Sequence, residues 1–199
     1  VRLTYWSCAL FKNVAISNGK AEDQLNIINA KVDVAGLKIS NAKSDAFDCD
    51  FCKGTIKDIN LLNIGGDGLD ISGSDLRINK MYATNIIDKA FSVGEKSFAS
   101  IDDALYDSVA TGIAVKDSSI VKASNISLKN IGFDAFMTYV KKPFYDGDTI
   151  LEVSNYNNYK DEVTNICIRE KGTDLIIDNK YCAISKINID DLYKGRMKK

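Results

Sequence analysis

The sequence predicts an all-β fold: a right-handed, single-stranded parallel β-helix (a solenoid) with rungs of about 22 residues and a C-terminal capping segment. Three observations lead there. A 22-residue unit recurs, with starts at Val1, Asp23, Asp45, Asp67, Lys89 and Thr111. Short runs inside each unit alternate apolar and polar residues, which is the period of a strand. The chain holds a single proline, Pro143. A strand bonded on both edges has no room for a residue without an N–H.

The first segment of each unit carries Leu3, Leu25, Phe47, Leu69, Phe91 and Ile113 in its third place. Its fifth place carries Tyr5, Ile27, Cys49, Ile71, Val93 and Val115. A seventh unit starts at Asp134, after an interval of 23, and places Phe136 third. A second segment holds Val32 and Val34, then Ile56, then Leu76 and Ile78. A third holds Val14 and Ile16, Leu37 and Ile39, Ile59 and Leu61, Met81 and Ala83, Ala104 and Tyr106, and Ile126 and Leu128. Two residues later come Asn18, Asn41, Asn63, Asn85, Ser108 and Asn130. A tight corner needs a residue that tolerates left-handed backbone, and asparagine does so best after glycine. Stacked Asn amides can also bond along the axis. This column is therefore structural.

Three strands per unit, each stacked on its equivalent ~4.8 Å away, make three parallel faces around a narrow core. The general hand of parallel crossovers makes the winding right-handed. A leucine-rich repeat has a similar period. Its spacing fails here, because Ile56-Lys-Asp-Ile59-Asn-Leu61-Leu-Asn63 brings the Asn one residue early. The Asn column slips by one residue before Asn41 and again before Ser108. The second slip predicts an outward bulge near Glu95-Lys96.

Residues 1–142 are read as regular rungs, and 143–199 as degenerate final rungs plus a cap of the same domain. Asp174-Leu-Ile-Ile-Asp and Tyr181-Cys-Ala-Ile-Ser, separated by Asn179-Lys180, read as a hairpin. Ile189-Asp-Asp-Leu-Tyr reads as a short closing helix. Some such cap is needed, because a bare solenoid end exposes core and unpaired strand edges.

Lys+Arg 26 against Asp+Glu 27 leaves a net charge of −1, which gives no general attraction for nucleic acid. The basic Lys194, Arg196, Lys198 and Lys199 read as a solvated terminus. Apolar residues are too evenly spread for a membrane span. With no histidine, the chain cannot supply Ser-His-Asp or Cys-His catalysis or a His-containing zinc site. Five thinly spaced cysteines do not read as a disulfide framework. Cys49-Asp-Phe-Cys52 has redox or zinc spacing, yet Cys49 stands where the repeat wants a small buried hydrophobe. Cys8 and Cys52 take the same eighth place two rungs apart, too far to bridge. No signal peptide is visible in this chain, and a start at Val1 within a repeat reads as a fragment of a longer protein.

Asp67-Gly-Leu-Asp-Ile-Ser-Gly-Ser, Lys89-Ala-Phe-Ser-Val-Gly-Glu-Lys-Ser and Thr111-Gly-Ile-Ala-Val-Lys-Asp-Ser-Ser follow one another. They resemble the right-handed parallel β-helix repeats of bacterial secreted or surface proteins, most closely the β-helix associated with CotH-like kinase proteins. The resemblance implies a secreted or cell-surface scaffold, and a polysaccharide or another protein domain as partner. No kinase motif is visible to carry over. The wider β-helix group, pectin lyase-like, includes polysaccharide lyases and epimerases. A domain fragment acting on uronate polymers is therefore the alternative function.

Candidate site residues lie on the outward side of the first face. The fourth places hold Thr4, Asn26, Asp48, Asp70, Ser92 and Ala114, and the sixth hold Trp6, Ile28, Asp50, Ser72, Gly94 and Lys116. Asp48, Asp50, Asp70, Ser92 and Lys116 thus form one outward patch, read as the binding surface. Carboxylates at one-rung spacing raise each other's pKa or attract a cation, so Asp48 and Asp70 are the calcium candidates. No other cofactor and no catalytic residue is indicated. An enzyme would want Lys or Arg beside these carboxylates, and Ser92 and Ala114 do not supply one.

Overall fold

The computed structural model describes residues 1–4, 8–159, 163, 165–186, 188 and 192. Within them the chain forms a parallel β-solenoid of about eight turns. On the first face, Phe47, Leu69, Phe91, Ile113 and Phe136 stack as direct Cα partners. All five are fully buried. Alternation explains this: with a period of two, third and fifth places share the inward side. Cutting one such side chain to Ala costs about 2–5 kcal/mol.

The second and third segments are not separate strands. Lys31–Ala42, Lys53–Ile64 and Asp75–Gly94 each run through both, and the last also enters the first face. At some of these bends the ladder survives because one residue takes left-handed backbone. Asn13, Asn125 and Asn155 do so at φ 54°, 56° and 55°, and Gly36 at 75°.

The Asn column stands at the other corner, as its residue type demanded. Asn18, Asn41, Asn63, Asn85 and Asn130 have φ between 51° and 60°, and Ser108 has 59°. Each amide donates to the one before it: Asn41 to Asn18 at 3.1 Å, Asn63 to Asn41 and Asn85 to Asn63 at 3.0 Å. Asn130 donates to the Asp107 carboxylate at 2.9 Å. A second, buried ladder was not foreseen. The Cys52 N–H donates to Ser74 Oγ, Ser74 N–H to Ser97 Oγ, and Ser97 N–H to Ser119 Oγ, at 2.8, 3.0 and 3.1 Å. These hydroxyls satisfy corner N–H groups that the bend leaves outside the strand pairing. The extra residue at Glu95-Lys96 is absorbed with φ 61° at both.

Several expectations need correction. Leu3 stacks on Ile27, not Leu25. A two-residue slip keeps every side chain on the same face, so the apolar pattern could not detect it. Cys8 pairs with Lys31, and hence with the Lys53 column rather than Cys52, and it is exposed. Disulfides do form: Cys49 with Cys52, and Cys167 with Cys182, at Cα separations of 5.9 and 6.5 Å. Cys49 is fully buried as the repeat required, but the chain turns after it and brings Cys52 alongside. The hairpin turns at Asp178-Asn179, both with positive φ, one residue earlier than read, and joins Asp174–Ile177 to Lys180–Tyr181. Beyond Pro143, strands Ile150–Asn158, Cys167–Arg169 and Asp174–Ile177 continue the parallel stack. Tyr5, Trp6, the basic terminus and most of the segment read as a closing helix lie outside the described residues.

The outer side of the first face is not uniformly open. Ala114, Met137, Tyr139 and Ile168 form a second apolar cluster, packed by Phe133 and Leu192. Its members Ala114 and Met137 occupy fourth places and Tyr139 a sixth place, where an open face would carry polar side chains.

Candidate functional site

Strands Asp23–Ile28, Asp45–Asp50 and Leu69–Ser72 set Asn26, Asp48 and Asp70 in one column and Ile28, Asp50 and Ser72 in the next. Ser92 and Gly94 continue the two columns. The predicted patch is therefore a contiguous row on the ladder. Asp48, Asp50 and Asp70 are half-buried, while Ser92 and Lys116 are buried.

Lys116 corrects the sequence reading. Its side chain runs back across Gly94, where a Cβ would lie 2.9 Å from Lys116 Cε. Its ammonium donates to Ser92 Oγ at 2.6 Å and pairs with Asp70 Oδ1 at 3.6 Å. A lysine does stand beside the carboxylates, delivered from two rungs away. Residue placement along the strand could not show this reach, and the signal for it was the missing side chain at Gly94.

The rest of the row is short of cations. Asn26 Nδ2 donates to Asp48 Oδ2 at 2.8 Å and to Asp23 Oδ2 at 3.3 Å. Burial, then Asp50, Asp70 and Asp23, push the Asp48 carboxyl up to about 8. Asp50 is raised by burial and by Asp70, Glu95 and Asp23, with Lys142 pulling the other way. The Asp48 carboxyl is thereby pushed towards its neutral form, which can donate a hydrogen bond as well as accept one. Beside it, a cleft of about 370 Å³ is lined by Arg2, Glu22, Asp23, Asn26, Ile28 and Asp50 among others.

Asp70 also belongs to a second set of acids, with Asp45 and Asp67, which the sequence reading did not include in the site. Carboxylate oxygens of Asp45, Asp67 and Asp70 lie within 4.8 Å of one another. Three carboxylates are part of the six to eight oxygen ligands that calcium takes. Two of the three already accept hydrogen bonds, Asp45 from the Asp67 N–H at 2.8 Å and Asp67 from Lys89 Nζ at 3.1 Å, while Asp70 Oδ1 faces the Lys116 ammonium at 3.6 Å in an ion pair. Asp48, the other calcium candidate, stands outside this set.

A second concavity of about 760 Å³ lies on another face, lined by Arg77, Asp102, Lys122, Glu152, Asp178 and Tyr181 among others. Lys122 and Glu152 pair across it at 3.6 Å. No helix among the described residues is long and apolar enough to cross a membrane. In comparisons with protein-family models, curated proteins and solved structures, nothing matches this chain.

Proposed function

We propose that this chain is a non-catalytic β-helix interaction module of a secreted or surface protein, and that the Asp48–Asp50–Asp70 row binds polysaccharide. The observation that carries the reading is a contiguous, half-buried row of carboxyl, amide and hydroxyl side chains one rung apart on the first face. The three carboxyls, with the Asn26 amide and the Ser72 hydroxyl, match the paired donor and acceptor character of sugar hydroxyls. The repeats' resemblance to β-helices beside CotH-like kinases supports a module that works next to another domain. Binding to a panel of neutral and acidic glycans tests it, with calorimetry on the wild type, Asp48→Ala and Asp70→Ala. A hit weakened at least tenfold by either change is the expected result. No hit, or a hit indifferent to both, overturns it.

Lys116 beside Asp70 favours one second reading, a lyase or epimerase fragment acting on uronate polymers. Such chemistry needs a base to take the proton next to the uronate carboxylate. Absorbance from new double bonds during incubation with alginate or pectate is its test for a lyase. A flat trace removes the lyase for those substrates. A calcium titration read by thermal shift checks the Asp48/Asp70 cation idea, and an unchanged melting temperature at millimolar calcium is expected.

A further inference from the structure

Lys89 is a buried amine set against two buried carboxyls. Its side chain is 3% exposed, that of Asp67 is 3%, and that of Asp88 is 10%. Lys89 Nζ lies 3.1 and 3.5 Å from the two oxygens of Asp67 and 2.7 Å from Asp88 Oδ2. Both Asp67 oxygens thus accept from the amine, which lies at the edge of the carboxylate; a turn of the Asp67 carboxyl about its last bond presents the face of the carbon to Nζ. The rungs press together here because the second place is small. A Cβ on Gly68 would meet the Ala90 carbonyl oxygen at 2.6 Å. Lys89 N–H also donates to Asp67 Oδ1 at 3.1 Å, which fixes that carboxylate against the next rung.

Burial, then Asp67, push the Asp88 carboxyl up to about 6, against the pull of the Lys89 ammonium. Asp88 can thus give and take a proton near neutral pH. Two opposite charges held without water carry a large desolvation cost. Joining them as an amide removes both charges, and the fold already holds the partners side by side.

We propose that Lys89 and Asp67 are joined by a side-chain amide that the folded chain forms by itself, with Asp88 as the proton carrier. The step balances without any co-reactant. The ammonium gives one proton to the Asp67 carboxylate and becomes a free amine. Nζ attacks the Asp67 carboxyl carbon and a C–N bond forms. Asp88 takes a second proton from nitrogen and hands it to the hydroxyl of the adduct. The C–O bond breaks, one water leaves, and the third proton stays on the amide nitrogen. Asp88 ends as it began. The link ties two successive rungs across 22 residues of chain, and it is independent of any ligand on the outer face.

Mass spectrometry of the reduced and alkylated protein tests this. The expected result is a chain lighter than its sequence by one water, with trypsin unable to cut after Lys89. The Asp67 and Lys89 peptides should appear as one branched species. Lys89→Arg keeps the charge but lacks the nucleophile, and should show the full sequence mass in a folded protein. Asp88→Asn should lose at least nine-tenths of the branched species. A wild-type chain of full mass that is cut after Lys89 overturns the proposal. So does a missing water without a branched peptide, which would mark a cyclised Asp67-Gly68 instead. An undiminished link in Asp88→Asn overturns the role given to Asp88.

Discussion

Two sets of aspartates share the first face and meet opposite fates. Asp48, Asp50 and Asp70 project outward, half-buried, and Asp70 pairs with Lys116. Asp45, Asp67, Asp88 and Asp134 are buried. The buried set is bonded into the stack: Asp45 and Asp67 each accept a backbone N–H from the following rung. Asp134 is the exception, taking a weak contact from Thr111 at 3.5 Å while its other oxygen has no hydrogen-bond partner. One residue type therefore does two jobs. Its place in the rung decides whether a carboxyl is a bonded part of the stack or an open chemical group.

The largest effect should come from breaking the buried set. Asp67→Ala removes a partner of buried Lys89 and leaves that charge on Asp88, at a cost of about 3–5 kcal/mol in denaturant unfolding. A loss below about 1 kcal/mol would show that the buried column is not structural. Next is the pH dependence of Asp134. Burial lifts its carboxyl from 3.8 to about 8. Between those values the folded state holds a proton that the unfolded chain has released. Its contribution is therefore most favourable below the lower value and is lost as pH rises towards the upper one. Asp134→Asn keeps the neutral shape, so it should flatten that fall in melting temperature and raise stability at pH about 8. An unchanged slope would mean that Asp134 is ionised in the folded state.

On the outer face the effects should shrink. Lys116→Met leaves Asp70 without its ammonium, and Asp70 retains some water contact, so about 1–3 kcal/mol is expected. Asp50→Asn should change stability by less than about 0.5 kcal/mol. If it costs as much as Asp67→Ala, the two sets are not distinct. Glycan binding in the same Asp50→Asn protein then reports on the outer face alone.

Much of this was legible beforehand, for identifiable reasons. Asn63 announces a corner because few residues accept its backbone angle. Leu69 announces the core because alternation allows it one side only. Leu3 was misplaced by two residues because such a slip conserves that alternation. Met137 and Tyr139 carried a readable signal, apolar side chains in outward places, that a cover packs there. The Lys116–Asp70 contact left almost none, since it depends on a long side chain lying over a glycine two rungs from its partner.

The sequence by itself determined the period, the inward columns and the Asn ladder. Each rests on a local rule: side-chain direction along a strand, or the backbone angle a corner demands. Tertiary structure alone decided the partners: Cys49 with Cys52, Cys167 with Cys182, Lys116 on Asp70 and Lys89 between Asp67 and Asp88. Those choices turn on ångström-scale stacking and on how far a flexible side chain reaches. Neither is written in the identity or spacing of residues until the rungs are laid on one another.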